Sequence, residues 1–345
     1  MKTDVFLREV TALPGPSGNE EPVAQYIKEQ FTPYVDDIYV DGLNNVYAHK
    51  KGNGPKVIIC AHLDEIGCMV EKIEDDGCLR FAYVGGVDSR VMPGMRVSVI
   101  GKEKLLGVVG AKPPHILTAQ DRKKNYQREE MFVDLGLPTQ KVKELVKVGD
   151  PICFQAVFNT LLNDRLVTKT ADDRACVAIM YRTAQLLQKM QHDADITFVA
   201  TCQEEIGCYG AMMAGFAKDP DYAIAFDVTH AHTPGVDKGK TSDLDSLVAE
   251  KGPFIHPMLR RKVDEVAKIH NITLQESISP DETGTDTDTV NFARAGIPSI
   301  LFSLPLKYMH TNVEMINMHA MEEGARLLAN YLCAIDDTWE GELWN

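Results

Sequence analysis

The chain has 345 residues, 44% of them hydrophobic, which is enough to bury a full core without disulfide staples and is most easily divided into two domains. Its formal net charge of −14 argues against nucleic acid or an anionic membrane as partner, since either needs clustered Lys and Arg. No apolar run is long enough to cross a bilayer, and charges interrupt MKTDVFLREVTALPG, so no secretory signal and a cytoplasmic location are expected.

In chain order, an amphipathic helix is predicted first, followed by PGPSGNEEP, where Ser17 can cap a helix running through Pro22, Val23, Tyr26, Ile27 and Phe31. A strand follows at Lys56-Val57-Ile58-Ile59-Cys60 and runs into AHLDEIG. Beyond Gly67, short alternating stretches such as CMVEKI, LRFAYVGG, MRVSVIG and KLLGVVG, parted by glycines, predict a small β-barrel lasting to about residue 160. Within it, PPHILTAQDRKKNYQREE is polar and basic and reads as an exposed excursion. From about Asn163 apolar strands alternate with helical patterns. ADDRACVAIMYRTAQLLQKM, GCYGAMMAGFAK, RRKVDEVAKIH and MHAMEEGARLLANYLCAI read as helices, and DITFVATCQEE, DYAIAFDVTH, ITLQES and IPSILFSLP as strands. The fold class is therefore α/β, a sheet covered by helices on its faces, with residues 1–67 and 163–345 forming one domain and residues 68–162 a β-rich insertion.

Eight cysteines, at 60, 68, 78, 153, 176, 202, 208 and 333, form no CxxC pair and read as reduced small hydrophobes. Any metal would fall to His and carboxylate. Such groups recur where apolar strands stop: His62 and Asp64 after VIIC, Glu204 and Glu205 after TFVATCQ, Asp227 after YAIAF, and His310 after ILFSLP. The carboxyl ends of strands in an open α/β sheet converge on one crevice, so these groups can meet there. Singly each has an ordinary reading. His62 can be a core histidine, Asp64 a turn aspartate, and His310 a loop histidine, while Asp172 and Asp173 can be an N-cap pair. Adjacent carboxylates such as Glu204 and Glu205 after a hydrophobic strand repel each other unless a cation lies nearby, and Asp227 ends a strand too apolar for an unpartnered charge. Two histidines and several carboxylates suit a pair of divalent ions sharing one carboxylate, at a separation of about 3.5 Å, an arrangement suited to hydrolysing an amide. A carboxylate beside a ligand, and itself unbound, would serve as general base, a role that fits Glu204.

Taken together, AHLDEIG at 61–67, TKTADDRA at 168–175, TCQEEIGCYGA at 201–211, AFDVTHAHTPG at 225–235, GTDTDT at 284–289 and PLKYMHT at 305–311 resemble the glutamyl aminopeptidase family of metallopeptidases, which includes the self-compartmentalising TET aminopeptidases. The resemblance covers nearly the whole chain. It implies one metal on His62, Asp172 and Asp227, a second on Asp172, Glu205 and His310 with Asp172 shared, Glu204 as base, Asp64 orienting His62, and a cis peptide bond after Asp172. Zinc or cobalt is the implied metal, with manganese also compatible. The insertion resembles a dimerisation domain through which relatives assemble dimers and often dodecamers. Lys112-Pro113-Pro114-His115 matches a motif within it, and His115 is either an exposed turn imidazole or a group reaching a neighbouring subunit.

The implied activity removes N-terminal residues from peptides with a free N-terminus. This chain departs from relatives at His232, Glu250 and Lys307, on the substrate side. An acidic preference would need a basic partner, for which Lys251, Arg260, Arg261 and Lys307 are the candidates by proximity to the motifs. Some relatives carry endoglucanase labels, and a carboxylate pair could serve a glycosidase, but a glycosidase has no use for His62, Asp172, Asp227 and His310 at strand ends. The same ligand set would also suit a metal-dependent deacylase or carboxypeptidase of the wider clan, or a non-catalytic shell protein that keeps metal for assembly.

Overall fold

Alternation along KVIICAH sets the layers. In the computed structural model, which describes residues 1–336, Val57, Ile59 and Ala61 of the strand Lys56–His62 enter the larger apolar core, whereas Ile58 and Cys60 enter a smaller one on the opposite face. Four inner strands, Asp195–Thr201, Lys56–His62, Tyr222–His230 and Ser299–Leu306, lie side by side in that order and run parallel. They are nearly apolar throughout because both of their faces are covered. Val46–Lys50 and Asp37–Val40 extend the sheet antiparallel on one side, and Val248–Lys251 and Gln275–Ile278 complete its eight strands on the other.

The larger core is closed by five helices, Thr3–Ala12, Glu21–Phe31, Ala171–Leu186, Pro257–Ile269 and Met318–Cys333. Stacking of Phe6 on Tyr181, with ring centroids 4.3 Å apart, docks the first helix against the third. The smaller core is closed by Tyr209–Lys218 and Thr287–Val290, through Ala211, Ala214 and Val290. Gly210 has to be glycine there, since a β-carbon would fall 2.4 Å from the carbonyl oxygen of Cys202.

Residues of the middle segment form a closed six-stranded barrel, in the order Gly67–Ile73, Leu79–Val84, Phe132–Asp134, Lys104–Gly110, Arg96–Ile100 and Pro151–Phe154. It has its own core, including Val70, Phe81, Val97, Val133 and Ile152. The predicted excursion leaves the barrel as three single-turn 3-10 helices, the first of which exposes His115. The three-layer α/β sheet with an inserted barrel is thus as expected.

Ser17 corrects one expectation. The helix Glu21–Phe31 is entered from Glu20 with Pro22 in its first turn and has no side-chain cap. The Ser17 hydroxyl instead donates to Asp64 Oδ2 at 2.6 Å.

Candidate metal centre

The parallel strands deliver their terminal residues to one crevice. His62 is the last residue of its strand, Asp227 lies within Tyr222–His230, Glu204 and Glu205 sit in the turn after Thr201, and His310 follows Leu306. Asp172 comes from the opening of Ala171–Leu186, where Asp172 and Asp173 depart from helical geometry and are joined by a cis peptide bond, as the resemblance implied. Regular helical geometry begins only after Asp173. Thr170, Gln203, Cys208, Tyr308 and His310 all have positive φ, so non-glycine residues in a costly conformation gather around the crevice.

Asp172 stands between the two imidazoles. Its Oδ1 is 3.1 Å from His62 Nε2 and its Oδ2 is 3.3 Å from His310 Nε2. Glu205 Oε2 lies 3.4 Å from His310 Nε2, and Glu204 Oε2 lies 3.7 Å from His62 Nε2. The other nitrogen of His62 faces Asp64, 3.3 Å from its carbonyl oxygen and 3.5 Å from Oδ1. Asp64 also accepts the backbone N–H of Glu204 at 3.0 Å and of Glu205 at 3.3 Å, so one buried carboxylate holds both halves of the pair. Ligand atoms of His62, Asp172 and Glu205 lie within 4.8 Å of one another, as do those of His62, Asp173 and Asp227.

The electrostatics call for a cation. Burial, reinforced by Asp172, pushes the Glu205 carboxyl well above the usual range, and burial with Asp173 and Glu204 alongside does the same to Asp227. Burial pulls His62 down, but Glu204, Asp172 and Asp64 outweigh it and hold the imidazole well above its ordinary value. His310, opposed by burial in the same way, is raised to about 9 by Asp172 and Glu205. All four shifts favour the protonated forms, so a divalent ion at the cluster would compete with protons for the same donor atoms. Both oxygens of Asp173 and Oδ1 of Asp286 are buried without a hydrogen bond among the described residues, a further shortage of positive charge. The residues present fit a metal.

Sequence reasoning missed several residues that build this site. Glu314 accepts the backbone N–H of His310 at 2.9 Å and of Asp172 at 3.1 Å. Gly86, at the end of a barrel strand, accepts from His310 Nδ1 at 3.0 Å, and a β-carbon on it would fall 2.8 Å from that nitrogen. The Cys208 thiol donates to Glu204 Oε1 at 3.4 Å, and Thr289 Oγ1 holds the Cys208 carbonyl at 3.0 Å. Two motifs hinted at part of this: TCQEEIGCYGA contains Cys208, and GTDTDT contains Thr289 and Asp286, the latter accepting from Thr201 Oγ1 at 2.5 Å. A cavity of about 520 Å³ opens over the cluster.

Fold and crevice together define an α/β protein with a buried carboxylate and imidazole cluster able to hold metal. The chain matches the M42 glutamyl aminopeptidase family over residues 44–327. The lysyl aminopeptidase of Pyrococcus furiosus is 37% identical, over 93% of this chain and 94% of its own length. The crystal structure of a TET aminopeptidase from Thaumarchaeota archaeon SCGC AB-539-E09 superposes with a TM-score of 0.94 at 31% identity, over 98% of each chain. The TET1 peptidase of Pyrococcus horikoshii, which can assemble into a tetrahedron or a large octahedral shell, superposes with a TM-score of 0.84 at 28% identity, over 96% of this chain and all of that one. This chain belongs to the M42 glutamyl aminopeptidase family. It is a peptidase of aminopeptidase type, and among its described residues no helix is long and apolar enough to cross a membrane.

Proposed function

We propose that the chain removes N-terminal residues from peptides, using two divalent ions held by His62, Asp172, Glu205, Asp227 and His310, with Asp172 shared, and Glu204 as general base. The observation that carries this reading is the position of Glu204. It borders the cavity with Oε2 3.7 Å from His62 Nε2, and Asp64 holds its backbone N–H at 3.0 Å, which keeps the carboxylate beside the cluster and facing the cavity. When bound, divalent ions would polarise the scissile carbonyl and acidify water.

Glu204 accepts the proton of the attacking water at a carboxylate oxygen and returns it to the departing amine. Burial, with Asp172 and Asp64 nearby, raises its carboxyl above the usual range, which brings its basicity closer to what the transfer needs. Asp64 fixes the backbone of Glu204 and turns His62 so that Nε2 faces the cluster. A glycosidase pair would leave His62 and His310 without a use. The same reading takes residues 1–67 and 163–345 as the catalytic domain and 68–162 as the unit through which copies associate, in the cytoplasm. Zinc or cobalt suits the donor set.

Glu204→Gln tests the assignment. It is expected to leave metal content and oligomer size unchanged while lowering kcat by about 10²–10⁴-fold. Full chelation should abolish turnover, and an N-acetylated peptide should not be cleaved. Turnover that survives chelation refutes the metal mechanism, and cleavage of the blocked peptide points to a deacylase.

A further inference from the structure

We infer that the cavity selects peptides whose N-terminal side chain is uncharged and discriminates against both glutamyl and lysyl N-termini, an inference that rests on the aminopeptidase reading above. Beyond the cluster, the cavity wall is made chiefly of Val228, Thr229, His230, Thr283, Thr285 and Met309. Among the described residues that line it there is no Lys or Arg, and its only carboxylates are Asp172, Glu204, Glu205 and Asp227 of the cluster itself. Of these, Asp172, Glu205 and Asp227 would hold the cations and Glu204 would serve as the base, beside His62 and His310. None is left over for a side-chain ammonium.

The four basic residues proposed from sequence for an acidic substrate are placed elsewhere. Lys251 pairs with Glu276 at 2.7 Å, and Arg260 is buried against Asp264 and Glu276. Arg261 is exposed on its helix and Lys307 is half-buried, and neither lines the cavity. The two other departures from relatives are occupied as well. His232 bonds Thr241 at 2.5 Å and lies 3.2 Å from Asp243, and buried Glu250 accepts from Ser279 and Ser303, each at 3.1 Å.

The wall's polar groups also satisfy one another. Asp288 accepts Thr283 Oγ1 at 2.7 Å, the Thr283 N–H at 3.0 Å and the Gly284 N–H at 2.7 Å, which uses its charge to brace the loop. Thr283 Oγ1 lies 2.8 Å from Thr285 Oγ1. Val228 and Met309 add apolar surface, and His230 at the exposed rim is the wall's one imidazole outside the cluster. A side-chain carboxylate or ammonium set against this wall would lose hydration and meet no fixed countercharge there, whereas an uncharged side chain of the same shape loses far less.

Isosteric pairs isolate the charge. With the full-length, metal-loaded enzyme, kcat/KM on p-nitroanilides is expected to favour glutaminyl over glutamyl and norleucyl over lysyl by about 100-fold, the scale on which a site rejects a group it leaves unpaired. Calorimetric binding of norleucinamide and lysinamide to the Glu204→Gln variant should show the same preference without turnover. Thr229→Lys should narrow the glutaminyl to glutamyl ratio by about tenfold, as a countercharge now faces the pocket. The inference is overturned if either charged substrate is cleaved within about threefold of its isostere, or if the two amides bind alike. Should the amides bind with the expected preference while no anilide is cleaved, the pocket assignment stands and the aminopeptidase reading fails.

Discussion

Glu314 is a single side chain that spans the two chain segments carrying Asp172 and His310. It is 2% exposed, and each of its oxygens takes one backbone N–H, from His310 and from Asp172. His310 has φ of 61°, so its backbone needs an outside grip to keep the imidazole aimed at Asp172. Glu314→Gln keeps the shape but turns an N–H₂ group toward one of those donors, which breaks that hydrogen bond. Metal retention and kcat/KM are each expected to fall by about 10–100-fold, as for other groups that hold ligands in place, while far-ultraviolet circular dichroism stays that of the parent. Titration with a competing chelator reads the first and steady-state kinetics the second. Metal affinity and activity both within twofold of the parent would show that Glu314 merely fills space.

At the scale of elements, an ionic knot ties the helix Ala171–Leu186 to the loop after the strand Lys56–His62. The Arg174 guanidinium donates to Leu63 O at 2.8 Å, and to Val10 O at 2.7 Å and Leu13 O at 2.8 Å at the end of Thr3–Ala12. Glu65 receives the Lys169 ammonium, and its other oxygen lies 3.6 Å from Arg174. Burial would raise the Glu65 carboxyl, but Lys169 and Arg174 outweigh it and hold it below its ordinary value. Burial lowers Lys169 as well, so part of what the attraction returns is lost to desolvation. Because the folded carboxyl is the more acidic, its contribution is complete above the unfolded value, near pH 4.5. It is lost as pH falls through the folded value. Lys169→Met strands a buried charge and is expected to cost about 3–5 kcal/mol, whereas Glu65→Leu with Lys169→Met should cost less than the sum of the singles and flatten the acid limb. Urea unfolding of the four proteins from pH 7 down to pH 3.5 checks both. An acid limb unchanged in the double variant would remove Glu65 from it.

These contacts also mark where reading the sequence stops. Continuous apolar runs in VIIC, TFVAT and YAIAF announce the strands, because both of their faces are buried, and these runs place His62, Glu204, Glu205 and Asp227 in one crevice. The barrel was legible from short alternating stretches parted by glycines. Ser17 carries the local signature of a cap and serves Asp64 instead, 47 residues away. Glu314 reaches Asp172 across 142 residues, and Arg174 reaches Val10 across 164. No local pattern encodes partners at such distances, since the fold chooses them after the elements have formed.

Across the whole molecule, the candidate ligands run from His62 to His310 and come from the ends of four adjacent strands and the start of one helix, so a cation there joins parts of the chain that meet only in the folded state. A ligand bound only by the native state adds RT ln(1 + [L]/Kd), about 2.7–4.1 kcal/mol at 100 to 1,000 times Kd. The buried carboxylates sharpen the effect here. With no cation, burial and neighbouring carboxylates shift Glu205 and Asp227 toward their protonated forms, and Glu204, Asp172 and Asp64 shift His62 the same way against burial. With one, those protons leave, and stabilisation grows as pH rises from 6 to 8 because fewer protons compete for the donors. Removal of divalent ions by chelation and dialysis is therefore expected to lower the thermal unfolding temperature by about 5–10 °C at pH 8 and by less at pH 6, with recovery on adding zinc or cobalt. Asp227→Asn, which takes away one ligand and one source of repulsion, should raise the stability of the metal-free protein while shrinking its response to metal. Scanning calorimetry of both proteins, with and without metal at the two pH values, separates the contributions. A parent whose unfolding temperature ignores the metal at both pH values would mean that the cluster is closed by protons alone.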